Sequence, residues 1–245
     1  MSGSGSRARL RAVSFDAAGT LFHPVRPVGD LYAMVAARHG VFVAGETLQQ
    51  RFRQAFHAAP PLAFPGLAPA EIRSRERAWW RAVVEHVFAG IAVDDFDAYF
   101  DDLFGFFGSA AAWRVDAGAR TLLHTLRARE LRILVVSNFD ARVRGVLTAL
   151  GLHSLIDAVI ISSEAGAAKP DPRIFTTALA AVGLAAAEVV HVGDTAREDL
   201  AAARAAGLPV VLVGGEALAA EAPDAPRVPR LADVADWLDR YADAG

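Results

Sequence analysis

The chain has 245 residues, of which 53% are hydrophobic and 22% charged, and its net charge is −3. That length and apolar content suit one large domain, or a domain with a smaller one inserted. The balanced charge gives no sign of a nucleic-acid partner. Cysteine is absent, which excludes disulfides, thiolate metal sites and a cysteine nucleophile. No apolar stretch is long enough to span a bilayer, so a cytoplasmic protein with no membrane partner is expected.

In chain order, Met1–Arg11 is rich in Gly, Ser and Arg with no apolar region behind it. It is expected to be a disordered lead rather than a signal peptide. Ala12–Phe15 is the first of five short apolar runs; the others are Arg132–Val136, Ala158–Ile161, Val189–Val192 and Pro209–Val213. They are continuous rather than alternating, the pattern of strands buried on both faces of a parallel sheet. The first run leads into SFDAAGTLF at Ser14–Phe22, where a lone carboxylate, Asp16, is followed by a small-residue turn and a hydroxyl, Thr20. A charge buried at the end of an apolar strand is costly unless it is compensated. An acid in that place therefore points to use.

From about residue 25 to 112 the rhythm changes. Helical patterns cover Val28–His39, Thr47–Ala58, Pro69–Phe88 and Val93–Phe107, and ten of the fourteen phenylalanines fall here. Phe96, Phe100, Phe104 and Phe107 lie at helical spacing and are expected to form the core of a small helical domain rather than a ligand box. Pro60–Pro69 is expected to be a loop within it. Arg26, Tyr32 and Arg53 are candidate substrate contacts, and the paired Trp79-Trp80 would bury itself or a partner.

Beyond residue 112, strands alternate with capped helices. Asp116 precedes Ala117–Arg129, Asp140 precedes Ala141–Leu150, and Asp171-Pro172 opens a helix to about Val182. Gly151-Leu152, Gly183-Leu184 and Gly207-Leu208 are helix stops. The expected fold is α/β, a doubly wound parallel sheet with an inserted all-helical domain. The core would comprise residues 1–24 and 113–245, and the helical domain residues 25–112.

Open α/β sheets bind ligands beyond the carboxyl ends of their strands. Four such ends carry chemistry: Asp16 with Thr20; Ser137 with Asn138; Lys169, the single lysine among 25 basic residues; and Asp194 with Asp199. Attack by a carboxylate on a phosphate dianion needs their repulsion neutralised. Lys169 supplies one positive charge, and Asp16, Asp194 and Asp199 suit a hard divalent cation such as Mg²⁺.

These four motifs, in this order, resemble those of the haloacid dehalogenase-like hydrolases. The segments GARTLLHTLRARELRILVVSNFDAR, KPDPRIFTTALAAVG and AWWRAVVEHVF are similar to the subfamily with a helical cap, in the group whose first motif is DxxGTL. The resemblance implies a Rossmann-like core and a small phosphorylated substrate. It makes Asp16 the nucleophile, Lys169 the stabiliser of the transferring group, and Thr20, Ser137 and Asn138 the phosphate binders. Asp16, the Ala18 backbone carbonyl, Asp194 and Asp199 would hold Mg²⁺.

One position departs. Most phosphatases of this superfamily carry a second aspartate, an acid and base, where this chain has Ala18. Three readings follow: a Mg²⁺-dependent phosphatase that tolerates the loss or borrows a donor, a dehalogenase-type C–X hydrolase, or a silent member with a binding role. His23 is either the borrowed donor or a surface histidine. Lys169 belongs to the core motif, so no cap lysine is present for the Schiff base of a phosphonatase.

Overall fold

The computed structural model describes residues 8–243. The first seven residues of the expected disordered lead lie outside the described residues. Six parallel strands form the main sheet: β1 (Ala12–Phe15), β4 (Arg132–Ser137), β5 (Ala158–Ile161), β6 (Val189–Gly193), β7 (Val210–Val213) and β8 (Arg227–Val228), in the order β5-β4-β1-β6-β7-β8. Two further strands, β2 (Phe22–Pro24) and β3 (Trp113–Val115), pair antiparallel at the points where the chain leaves and re-enters the sheet region. Neither was expected, because three residues carry no readable period. β8, two residues long, was missed for the same reason.

Successive residues of one strand face opposite layers. Val13 and Phe15 of β1 join Ile133, Val135, Val190 and Val192 against Leu122, Leu123 and Leu126 of α5 (Ala119–Ala128) and Val143, Val146 and Leu147 of α6 (Arg142–Ala149). Ala12, Leu134, Val136 and Val189 face the other way, onto Ile174, Phe175 and Ala178 of α8 (Arg173–Val182) and Ala202 and Ala203 of α9 (Ala201–Ala205). Both faces are dry, which is why these strands lack alternation.

The helix signals of the sequence act as local hydrogen bonds. Asp116, Asp140 and Asp171 each accept the amide two residues on, at 2.9 Å. At the other end, Leu152, Leu184 and Leu208 donate back to Leu147, Leu179 and Ala203, each just past a glycine at positive φ. The α8 helix starts at Arg173 rather than Pro172.

Between β2 and β3 run four helices: α1 (Val28–Arg38), α2 (Gly45–Ala58), α3 (Pro69–Val87) and α4 (Phe96–Phe107). They share a cluster built on Tyr32, Val35, Leu48, Val83, Val87 and Tyr99. A short helix, α7 (Ser162–Ala165), follows β5. The Pro60–Pro69 loop reaches back to it through a 2.6 Å bond from Ser162 Oγ to the Leu62 carbonyl. Helix α3 is tied to the sheet region by Glu76, which accepts from Ala141 N and Ser163 Oγ at 3.0 and 2.5 Å. Trp80 Nε1 donates to the buried Asp140 at 2.6 Å. The chain closes with α10 (Glu216–Glu221) and α11 (Val234–Asp243). No helix among the described residues is long and apolar enough to cross a membrane.

Candidate active site

The carboxyl ends of β1, β4 and β6 are adjacent in the sheet, so residues far apart in the chain meet there. Asp16 follows β1 directly and is 7% exposed. The turn after it closes on one acceptor: the amides of Thr20, Leu21 and Phe22 all go to the Ala17 carbonyl. Gly19 sits at φ +108°, and a Cβ there would lie 2.4 Å from Asp194 Oδ2. Only glycine allows that approach.

Lys169 comes from the loop between α7 and α8. Its Nζ donates to Asp16 Oδ1 and to Asp199 Oδ1, each at 2.6 Å, and its side chain is 1% exposed. Burial pushes the ammonium's pKa down, but the charges of Asp16 and Asp199 outweigh it and hold the group protonated. Asn138 fixes the loop, accepting from Lys169 N at 2.7 Å and donating to the Lys169 carbonyl at 2.8 Å. Its amide also donates to Glu198 Oε2 at 3.0 Å. The side chain expected to bind phosphate is thus occupied in holding Lys169.

Asp199 is reached through a feature absent from the sequence reading, a turn of π-helix at Ala196–Leu200. The wider turn brings Asp199 under the start of the loop, where Oδ2 accepts from Asp194 N, Thr195 N and Thr195 Oγ1 at 3.1, 3.0 and 2.7 Å. Its Oδ1 is held by Lys169 and, at 3.1 Å, by His191 Nε2. Ser14 Oγ lies 2.9 Å from His191 Nδ1. Ser14, His191, Asp199 and Lys169 therefore form one buried chain of polar contacts. Ser14 and His191 were not singled out; each sits within an apolar strand, where a lone polar residue gives no sign of its partner. Burial pushes Asp199 up, but Lys169 and His191 outweigh it and leave the carboxyl well below its usual range. Burial also lowers His191, against the pull of Asp199.

Asp194 stands differently. The one hydrogen bond to its carboxylate among the described residues is from Thr20 Oγ1 at 3.3 Å, and the carboxylate joins no ion pair there. Burial, then the charges of Asp16 and Asp199, push its pKa up to about 7. Burial likewise raises Asp16 against the opposition of Lys169 and Ser137. Thr20 is 1% exposed and serves Asp194. Ser137, 3% exposed, lines a cavity of about 320 Å³ with Asp16, Ala18, Asn138 and Glu198. Glu198, also missed in the sequence, has its pKa raised by burial.

This geometry bears on the expected metal set. Among the described residues no group of three or more His, Cys, Asp or Glu stands ready as ligands. Both oxygens of Asp199 are taken by donors, so Asp199 is not a free ligand. Asp16 and Asp194 remain, and Asp194 is a half-buried carboxyl short of positive charge. Mg²⁺ typically takes one or two carboxylates and keeps its waters, a donor number that Asp16 and Asp194 match. His23 does not face this cavity. Its Nε2 lies 3.0 Å from Asp116 Oδ2, and with Arg26 and Arg53 it lines a separate surface depression. Tyr32, by contrast, lines the Asp16 cavity.

The sequence over residues 10–207 matches the hydrolase family described as haloacid dehalogenase-like hydrolase. The chain belongs to that family. It is 39% identical over 213 residues to mouse haloacid dehalogenase-like hydrolase domain-containing protein 3, a match covering 85% of this chain and 84% of the mouse protein. The fold is shared with an L-2-haloacid dehalogenase from Xanthobacter autotrophicus (TM-score 0.71, 20% identity, 94% of this chain and 98% of that one). It is shared also with a HAD phosphatase from Thermococcus onnurineus (TM-score 0.62, 20% identity, again 94% and 98%). This haloacid dehalogenase-like protein is a hydrolase with a Rossmann-like parallel sheet.

Proposed function

We propose that the protein is a Mg²⁺-dependent phosphatase acting on a small cytoplasmic phosphorylated metabolite through an aspartyl-phosphate at Asp16. The observation that carries this reading is the unneutralised Asp194 beside an Asp16 already paired with Lys169. Three acids around one ammonium leave negative charge in excess. A C–X hydrolase has no need of that excess, whereas a bound cation removes it. When bound, Mg²⁺ would offset the repulsion between the Asp16 carboxylate and a phosphate dianion.

Lys169 Nζ, held by Asp199 at the end of the buried chain, keeps Asp16 Oδ1 fixed where Asp16 lines the cavity. Ser137 places a hydroxyl beside it for a phosphate oxygen. Residues 25–112 would act as a cap over the core of residues 1–24 and 113–245, in the manner of the helical-cap subfamily with a DxxGTL motif. Ala18 puts a methyl group where the family's second aspartate would stand. Loss of general acid–base help of that kind slows turnover by roughly 10²–10⁴ without removing the nucleophile.

A dehalogenase reading is favoured by the direct Asp16–Lys169 pair and by the absence of a three-residue ligand cluster among the described residues. One experiment separates the two. Incubation with acetyl phosphate and Mg²⁺ should label Asp16 with phosphate, detectable by mass spectrometry, and Asp16→Asn should abolish the label. Halide release from small haloacids in EDTA, with no phosphate label, would overturn the proposal. Absence of both activities would leave a binding role.

A further inference from the structure

The cavity that opens onto Asp16 is walled on its far side by rings of the helical segment: Phe52, Phe56, Trp80, Phe100, Phe104 and Phe107. They form continuous trains. Phe52 stacks on Phe56 with centroids 5.5 Å apart, Phe56 on Trp80 at 5.9 Å, and Phe100 meets Phe104 at 5.6 Å. The stripe expected to serve only as helical core thus has two roles. Phe96 packs on Tyr99 inside the cluster, while Phe100, Phe104 and Phe107 face the cavity.

The cation in this wall, Arg142, is already committed. Its Nε and Nη2 donate to Asp140 at 2.9 and 2.6 Å, and its Nη1 to the Phe104 carbonyl at 2.8 Å. The guanidinium carbon lies 3.6 Å from the Phe104 ring centroid. Arg142 therefore stiffens the wall and balances the buried Asp140. The polar groups of this lining other than Asp16 and Arg142, namely Tyr32, Ser137, Asn138 and Glu198, are few beside the rings. A sugar or polyol would therefore leave most of its hydroxyls without partners, and sites reject buried polar groups that they cannot pair. A flat apolar group would gain ring contacts at no such cost. The volume, about 320 Å³, lies at the lower end of the range of about 300–1,000 Å³ for small-molecule sites.

We propose that the substrate is a phosphate monoester of an aromatic alcohol, its ring against the Phe56–Trp80–Phe104 wall and its phosphorus toward Asp16. This rests on the phosphatase reading above. The chemistry agrees with Ala18. As the Asp16 oxygen bonds to phosphorus, the P–O(aryl) bond breaks and its electron pair leaves on a phenolate, which takes its proton from water afterwards. An alkoxide from a sugar would need that proton during departure, and position 18 holds no acid to give it. Water then hydrolyses the aspartyl-phosphate, releasing inorganic phosphate and restoring Asp16.

The test compares kcat/KM of the full chain with Mg²⁺ for naphthyl phosphate, phenyl phosphate, ribose phosphate and glycerol phosphate, with acetyl phosphate as a reference too small to reach the rings. Naphthyl phosphate should exceed ribose phosphate by about 100-fold. Phe56→Ala, at a rim position 41% exposed, should lower the naphthyl-to-acetyl ratio by about three- to ten-fold, and Phe56→Trp should restore it. Turnover of acetyl phosphate with ribose or glycerol phosphate equal to or better than naphthyl phosphate would overturn this inference and leave the phosphatase reading standing. Failure on acetyl phosphate as well would sink both.

Discussion

Replacing Lys169 by methionine removes the positive charge from the site while keeping the length of the side chain. The ammonium, 1% exposed, is shared by Asp16 and Asp199 at 2.6 Å each. Breaking a buried pair by deleting one partner typically costs about 3–5 kcal/mol, because the other charge is left uncompensated. Asp199 keeps three donors on Oδ2 and His191 on Oδ1, so the lower end, about 3 kcal/mol, applies. For a domain of this size that is a fall in Tm of about 6–12 °C. The sign with pH follows from two carboxyls. Asp16 has its pKa raised above 3.8 by burial even with Lys169 present, and without Lys169 it rises further. The cost of ionising it is present above that folded value and is relieved as the pH falls through it. Asp199 is depressed in the native protein, and its contribution to stability is present above 3.8 and lost on acidification. Without Lys169 that contribution shrinks. The deficit of Lys169→Met should therefore be largest near pH 8 and narrow as the buffer is acidified. Urea and thermal melts in EDTA across this range measure it, and adding Asp16→Asn to Lys169→Met should recover most of the loss. A Lys169→Met protein as stable as the parent at pH 8 would refute the placement of three charges in one dry site.

Tyr99 carries a buried hydroxyl with no hydrogen-bond partner among the described residues, so Tyr99→Phe should stabilise the protein, by about 1 kcal/mol; a destabilised variant in chemical denaturation would count against that packing. Gly193→Ala places a Cβ 2.2 Å from Asp199 Cγ, and should cost about 1–3 kcal/mol and lower turnover together, as Asp199 is pushed off Lys169. Ala18→Asp should raise phosphatase turnover on poor leaving groups by at least about tenfold, while an unchanged rate would favour a binding role. The pKa of Glu76 is raised by burial above 4.5 despite its bond from Ser163, so its ionisation opposes folding and stability falls as the pH rises through 4.5 toward the folded value. Glu76→Gln should flatten that part of the pH–stability curve; an unaltered slope would show that Glu76 does not titrate there.

The parallel strands and the helices that open just after Asp116, Asp140 and Asp171 were legible because their signals are local: a dry apolar run, an aspartate turn ahead of the helix, a Gly-Leu stop. Asp16, Lys169 and Asp194 were legible for a related reason. A polar residue at a strand end is conspicuous in one dimension, and strand ends of a parallel sheet share one edge. What the sequence concealed was assignment of partners. Asn138, expected at a phosphate, bonds the Lys169 backbone, Asp199, expected as a metal ligand or the holder of a metal-bound water, bonds the Lys169 ammonium, and His23 meets Asp116 beside the short β2–β3 pairing.

The amino-acid order by itself determined the α/β core, its helical insert and the acids at the strand ends, since periodicity and capping act over a few residues. Only the tertiary structure decided that the π turn would fold Asp199 beneath Lys169, leaving Asp194 short of positive charge, and that three of the four phenylalanines in the stripe would face an open cavity. Those outcomes depend on contacts between segments 30 to 174 residues apart in the chain, and no local pattern encodes such distances.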